Sequence, residues 1–373
     1  MSRHTDVHAV PYSIEWPPLP IVDWQRVGQS APRPVPVSYQ DPSAPLPHAD
    51  FVVLTWTSAE WSALDHVFLN SGSTRTKSAR DWQRSWYLYS RNAPPPPSDS
   101  KTGPFWGYYQ LVEIDAAQDQ PLRVLLFKSN SHLAHPNWLQ GLEDMLGDIL
   151  QDVQPASIYS IGTAGGTRED VRLGDVAITN SAHIQLQKPD NAGSPINGQS
   201  FTCDGWFPAT TLLQPAQEQL FFPMNSIVTY PALQNALAQL HGQVPDSANF
   251  TLDDLLNDAL RPGALASSRA LPMPGTPLLT TDYYYIATGA DAAQWAVLEM
   301  DDAVIAYVAG QQGIRYAFVR NISDPLVPDT TSAGVTIPDE VRDRWSGLIY
   351  EDYGFYTSFN GALTTWAAIA AQD

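Results

Sequence analysis

Four carboxylates and a serine fall within one stretch, VLEMDDAVIAYVAGQQGIRYAFVRNISDP, residues 297 to 325: Glu299, Asp301, Asp302, Ser323 and Asp324. Its periodicity is that of a helix followed by a strand, so three acids crowd the helix start and a Ser-Asp-Pro closes the strand. Carboxyl groups held at element ends can donate a proton, accept hydrogen bonds from a ligand or deprotonate a water. They also have structural uses, because acids at a helix N-terminus complement its dipole and Asp before Pro closes turns. A fifth acid, Glu60 in LTWTSAEWSAL, stands in the first turn of another helix, directly after an apolar run.

The elements that must position these acids are readable in outline. Residues 51–56 form a strand-length apolar run, followed by a Ser/Thr cap and amphipathic spacing through Leu64 and Phe68. GPFWGYYQLVEI and PLRVLLFKS read as neighbouring strands, and HLAHPNWLQGLEDMLGDILQDVQP reads as a helix. ASIYSIGTAGG is a buried strand ending in a glycine-rich turn, and GDVAITNSAHI supplies another strand. From about 185 to 277 the pattern is loop-rich with helical pieces; PLLTTDYYYIATG is a strand and turn, and FNGALTTWAAIAAQ a small-residue helix. Strands alternating with helices predict an α/β fold whose mostly parallel or mixed sheet is covered on both faces, with the site outside the carboxyl ends of the strands.

Composition narrows the function classes. With 373 residues, 43% of them hydrophobic, the chain can bury a large core. A net charge of -19, from 20 Lys+Arg against 39 Asp+Glu, repels phosphate backbones, so no nucleic-acid partner is expected. The one cysteine, Cys203, excludes an intrachain disulfide and a multi-thiolate metal site. The N-terminus lacks an apolar signal core, and no run approaches the roughly 20 apolar residues that span a bilayer. The expectation is a soluble, cytoplasmic protein with no membrane partner. The 32 prolines cluster at 16–20, 32–37, 42–47 and 93–98, runs unfit for helices or central strands, so residues 1–48 read as an extended arm laid over a core.

Four islands in order resemble one family. SIGTAGGTREDVRLGDVAIT is similar to the Gly-Ser/Thr-Ala-Gly-Gly turn and following Leu/Val-Gly-Asp strand of the purine nucleoside phosphorylase and methylthioadenosine/S-adenosylhomocysteine nucleosidase superfamily. LEMDDAVIAYVA resembles its Val-Glu-Met-Glu ribose motif and FVRNISD its Arg-x-Ile-Ser-Asp strand end. LTWTSAEWSAL fits its first strand and helix, with Glu60 matching the nucleosidase glutamate. The resemblance covers residues 51–185 and 278–371. It implies a three-layer α/β fold with a central mixed, twisted sheet flanked by helices. A single catalytic domain would span 49–373, with an insertion at about 186–277, and the protein would be a homo-oligomer, dimer or higher. It further implies that Asp324 protonates or hydrogen-bonds N7 of a purine, with Ser323 beside it at the substrate. Met300 would lie under the ribose, Asp301, where the family usually has glutamate, would bind the ribose hydroxyls, and Glu299 would support them. Glu60 would orient and deprotonate the water. Thr163, Ala164 and Gly165 would line the floor, and Tyr284 would stack on the base. No cofactor or metal is implied.

Two branches of that family differ in the nucleophile. A phosphorylase holds phosphate with arginines near the first turn and ahead of the glycine motif, whereas here those places read TWTSAE and Tyr159-Ser160-Ile161. Hydrolysis of a purine nucleoside or nucleotide, with adenine as the expected base, is therefore the preferred reading. Arg75, Lys77, Arg80, Arg84 and Arg91 concentrate in one segment, and Lys128, His132 and His135 follow; these make a candidate 5′-phosphate clamp, with Arg80 and Arg84 on one helical face, or a plain solvated face. A clamp would suit a nucleotide-depleting effector of antiviral defence. A phosphate-dependent phosphorylase and a non-catalytic nucleoside-sensing or assembly module remain the alternatives.

Overall fold

The structure, a computed structural model, describes residues 16–37, 41–94, 104–116, 120–133, 138–265, 267–285 and 292–372. The first fifteen residues of the arm, its residues 38–40, most of the 93–98 proline run and His135 lie outside them. The described arm lies along the body. Leu19 and Arg75 exchange backbone hydrogen bonds, Trp24 packs against Trp366 with ring centres 4.5 Å apart, and β1 (Arg33–Pro34) pairs with a later strand.

β2 (Phe51–Thr55) is buried throughout and leads into α1 (Ser58–Leu69), whose start is fixed by a reciprocal capping box between Thr57 and Glu60. β3 (Tyr87–Tyr89), β4 (Gly107–Ile114) and β5 (Leu122–Ser129) form an antiparallel ribbon, and β5 runs parallel to β2. After α2 (Trp138–Val153), β6 (Ser157–Gly165) lies parallel on the other side of β2. The single strand expected of GDVAITNSAHI is two, β7 (Val176–Thr179) and β8 (Ser181–Gln185). Asn180 breaks the ladder between them because its amide is engaged by Cys203, Trp206 and Gly275 of neighbouring loops.

Segment 186–277 contains α3 (Pro189–Ala192), β9 (Ser200–Thr202), α4 (Leu213–Gln219), α5 (Tyr230–Gln243), α6 (Leu252–Leu255) and β10 (Ala270–Pro272). β9 pairs with β8, β10 pairs with β7, and Leu233, Leu237 and Leu240 of α5 join the core, so the segment is built into the body. The chain then forms β11 (Leu278–Thr281), β12 (Leu298–Glu299), α7 (Asp302–Gln311), β13 (Arg315–Asp324) and α8 (Asp339–Ala370).

β13 is central, parallel to β6 and antiparallel to β7. A second branch, β12, β11, β8 and β9, springs from the end of β6 where Leu298 pairs with Gly165. Side chains alternate across the sheet. Val53, Tyr159, Ile161 and Val319 face the layer of α1 and α8, while Val52, Leu54, Ile158 and Phe318 face that of α2 and α7. Full burial of each such side chain stabilises by roughly 1.5–3 kcal/mol. The fold is a mixed α/β sheet with helices on both faces.

α8 begins well before the small-residue segment read as its body. Pro338 precedes it, Asp339 and Glu340 occupy its first turn, and Val341, Trp345, Leu348, Ile349, Tyr353 and Tyr356 recur on its buried side. This early half carries Ser346, Gly347 and Tyr350 over the ends of the parallel strands. Among the described residues no helix is long and apolar enough to cross a membrane.

Candidate active site

The C-terminal ends of β2, β5, β6, β11, β12 and β13 surround one cavity of about 310 Å3. Thr163, Ala164 and Gly165 come from the end of β6, Asp324 from the end of β13, and Glu299, Met300 and Asp301 from the passage of β12 into α7. Glu60 enters from α1, and Tyr284 from the turn after β11. Ser323 is buried behind the wall and donates to Asp324 Oδ1 at 2.6 Å. A larger groove, about 890 Å3, runs beside α2 past Glu143, Asp144 and Asp148; it contains none of these residues.

Asp324 is half-buried. A β-bulge between Ile322 and Asp324 shifts the register against β6 and ends the strand beside Gly165, where a Cβ would stand 3.3 Å from Asp324 Oδ2. Burial by the cavity walls raises the Asp324 carboxyl from 3.8 to about 6, and hydrogen bonds from Ser323, Ser346 and Tyr284 oppose the rise. Tyr284 donates to Ser346 Oγ at 2.8 Å and is 49% exposed, so its ring stands at the cavity mouth. Tyr283 and Tyr285 also line the cavity.

At the other end the acids do different work. Glu299 accepts from the backbone N–H groups of Asp301 (2.6 Å) and Asp302 and from the Thr280 hydroxyl, fixing the start of α7. Burial and neighbouring Asp302 push its carboxyl up, and the Arg320 guanidinium, 3.1 Å away, pulls it back. Asp301 accepts from Leu133 N at 2.9 Å and has His132 Nε2 at 3.3 Å from its other oxygen. Burial raises Asp301 to about 7 and lowers His132 to about 4, so the imidazole is neutral at pH 7 and the contact is not an ion pair. Asp302 faces away from the cavity and holds Arg320 in a fork of two hydrogen bonds.

Arg320 and Glu60 explain why β6 needs a glycine at 162. A Cβ there would lie 2.3 Å from Arg320 Nη1 and 3.1 Å from Glu60 Oε1. Burial disfavours the Arg320 charge, but Asp302 and Glu299 outweigh it and hold the guanidinium charged. It also donates to Ser160 Oγ at 2.9 Å. Glu60 Oε2 accepts from Trp56 N (3.0 Å), Thr57 N (2.8 Å) and the Thr55 hydroxyl (3.3 Å). Its Oε1 accepts from Thr163 N (2.8 Å) and the Thr163 hydroxyl (2.7 Å).

The basic segment does not converge on this cavity. Arg75 is buried against Asp65 and Arg91 pairs with Asp152. Arg84 is exposed and lines neither this cavity nor its neighbour. Arg80 folds back on the carbonyls of Lys77 and Ala79 and, with Lys77, borders a second cavity. The shared helical face expected of 80 and 84 is absent because Asp81–Ser85 is a 3-10 turn. Conversely, Trp56, His132, Arg320, Gly347 and Tyr350 line the main cavity, although sequence reasoning gave them no firm place in it. Tyr350 could have been found from the helical spacing of the buried residues around it.

Residues 146–347 match the model of the family described as the phosphorylase superfamily. No curated protein matches the sequence. Similar solved structures include a 5′-methylthioadenosine/S-adenosylhomocysteine nucleosidase from Neisseria meningitidis, in complex with methylthio-immucillin-A, at 12% identity and a TM-score of 0.44, covering 86% of this chain and 99% of that one. The futalosine hydrolase of Helicobacter pylori is similar at 7% identity and TM-score 0.41, covering 86% and 96%. An S-adenosylhomocysteine nucleosidase from Streptococcus pyogenes is similar at 11% and 0.42, covering 87% and 98%.

Proposed function

This chain belongs to the phosphorylase superfamily, and from that premise we propose that it hydrolyses the N-glycosidic bond of a purine nucleoside or nucleotide, with adenine the first base to test. The observation that carries the reading is geometric: Asp324 from the end of β13, Glu60 from α1, and Glu299 and Asp301 from the start of α7 converge on one cavity. In this reading protonated Asp324 gives its proton to N7 as the bond from C1′ to N9 breaks and its electrons return to the purine. The electron-poor sugar sits over Met300 and the floor at 163–165, with its hydroxyls on Asp301, which His132 orients. A water adds to C1′ and loses a proton to Glu60, which passes it on to solvent, and Asp324 is reprotonated from solvent.

Hydrolysis is preferred to phosphorolysis on a structural ground. Among the described residues lining the cavity the single guanidinium is Arg320, already shared between Asp302, Glu299 and Ser160, and the imidazole of His132 is neutral. An incoming phosphate dianion would meet no uncommitted cation and would face Glu60. A reaction of this kind on 5′-phosphorylated adenine compounds would deplete nucleotides, as a defence effector requires. The test is incubation with adenosine, methylthioadenosine, AMP and ATP, with and without phosphate. Free purine at a rate independent of phosphate is expected. A 1-phosphorylated sugar that scales with phosphate would overturn hydrolysis, and no purine from any substrate would favour a non-catalytic sensing module.

A further inference from the structure

Beside the nucleoside cavity lies a second one of about 320 Å3, and Tyr350 of α8 borders both. Its other walls include Ser58, Ala59 and Ser62 of α1 and the side chains of Lys77 and Arg80. In the reading above, Asp324 marks the base end of the first cavity and Glu299–Asp301 the ribose hydroxyls. The remaining wall, Trp56, Thr57 and Tyr350, is left for the 5′ side of the sugar, and it is this wall that the second cavity adjoins.

The second cavity is rich in donors without acceptors. Ser62 Oγ is buried, its residue 2% exposed, and has no hydrogen-bond partner. Arg80 uses only Nη1, toward the Lys77 and Ala79 carbonyls, which leaves the Nε and Nη2 edge uncommitted among the described residues. Lys77 Nζ donates to the carbonyls of Glu351 and Asp352 and keeps a third N–H. Ser58 and Ala59 open α1, a 12-residue helix, and their N–H groups have no intrahelical acceptor. Acids nearby do not cancel this. The Glu351 carboxylate on the cavity wall is held by Arg344 at 2.8 Å, and Asp352, beside Lys77, is absent from the lining.

We propose that this second cavity is an anion subsite for the 5′-phosphate of the substrate, so that the protein prefers purine nucleotides to nucleosides. The phosphate passes the Tyr350 ring and is met by Arg80, Lys77, the Ser62 hydroxyl and the first turn of α1. The proposal rests on the nucleoside reading of the first cavity. It replaces Arg84 with Lys77 as the partner of Arg80, because only those two border the space.

The experiment measures kcat/KM for AMP and adenosine by adenine release, using the full chain as wild type, Arg80→Ala, Arg80→Glu and, as an exposed control, Arg84→Ala. Arg80 is exposed, so its substitution should leave Tm unchanged. The wild type should favour AMP. The AMP-to-adenosine ratio should fall about 10- to 100-fold in Arg80→Ala, the loss of one charge-assisted contact, fall further in Arg80→Glu, and stay put in Arg84→Ala. A ratio unchanged in folded Arg80 variants, or a wild type indifferent to the phosphate, overturns the subsite. Calorimetric titration with AMP, adenosine and pyrophosphate separates the remaining cases. If no substrate is cleaved, the hydrolase reading fails, while AMP binding that is tighter than adenosine binding and is lost in Arg80→Glu still supports the subsite; equal binding overturns it. Pyrophosphate binding that Arg80→Glu abolishes without change in the AMP-to-adenosine ratio would make this a separate anion site and overturn the 5′-phosphate assignment.

Discussion

Asp324→Asn isolates proton donation from everything else Asp324 does. The amide is nearly isosteric, can still accept from Ser323 and can still hydrogen-bond N7, but it has no proton to give. General acid catalysis contributes about 10²–10⁴ in rate, so kcat should drop by that factor, about 3 to 5 kcal/mol of barrier. The pH profile sharpens the test. With the carboxyl at about 6, roughly half the molecules carry the proton at pH 6 and about one in eleven at pH 7. Wild-type kcat should therefore rise about eightfold from pH 7 to pH 5.5 through this group, whereas the residual activity of the variant should lack that limb.

Folding supplies the control. The folded carboxyl titrates above its ordinary 3.8, so Asp324 favours the native state fully only below about pH 4, and that contribution is lost as pH rises through about 6. Asn carries no charge to bury, so the variant should match or exceed wild-type Tm at pH 7, with the difference vanishing in acid. The assay is adenine release from adenosine or AMP across pH 5 to 8, alongside thermal melts. A folded Asp324→Asn protein that turns over near the wild-type rate, or keeps the limb near pH 6, removes Asp324 from the mechanism.

Two further outcomes follow from the same network. Ser323→Ala removes a 2.6 Å hydrogen bond that holds the Asp324 carboxyl down, so the falling limb should move to higher pH and activity at pH 7 should rise relative to pH 5.5; a limb shifted to lower pH contradicts the assignment. Arg320→Gln leaves Asp302 and Glu299 buried without their cation, a loss of about 3–5 kcal/mol, which in a chain of 373 residues lowers Tm by roughly 4 to 6 °C. The Tm gap should narrow in acid as Glu299, pushed up by burial, protonates, and a gap independent of pH would show that the guanidinium acts through packing alone.

How legible this was in the sequence differs by residue. That Asp324, Glu299, Met300, Asp301 and the turn at 163–165 lie around one cavity was legible because each sits at the end of a strongly periodic element. Glu60 was visible for the same reason, one turn into a capped helix. The basic segment misled because five cations close in sequence need not share a surface. Arg75 and Arg91 are drawn into separate ion pairs and a 3-10 turn separates Arg80 from Arg84. The first half of α8 was obscured by its charged residues, DEVRDRWSGLIYED, which dilute an apolar stripe that is nonetheless buried from Val341 to Tyr356. His132 depends on the loop after β5 meeting the start of α7, a long-range contact that no local pattern encodes.

The acids that opened the problem serve two purposes, and the geometry separates them. A carboxylate offers about four acceptor directions, and Glu60 receives five donors: three from the end of β2 and two from Thr163. A water can reach it only by displacing one of them. Four belong to backbone N–H groups or to the buried Thr55, whose loss would loosen the joint between β2, α1 and β6; the fifth, the Thr163 hydroxyl, can turn aside without moving the chain. On the proposed mechanism, rotation of the Thr163 hydroxyl would be the change that lets Glu60 accept from a water. The same logic distinguishes Asp302, locked to Arg320 outside the cavity, from Asp301, whose fixed contacts are one N–H and one neutral imidazole. Of the three acids at the start of α7, Asp301 alone lines the cavity without an ion-pair commitment, and so the proposed function assigns the sugar hydroxyls to it.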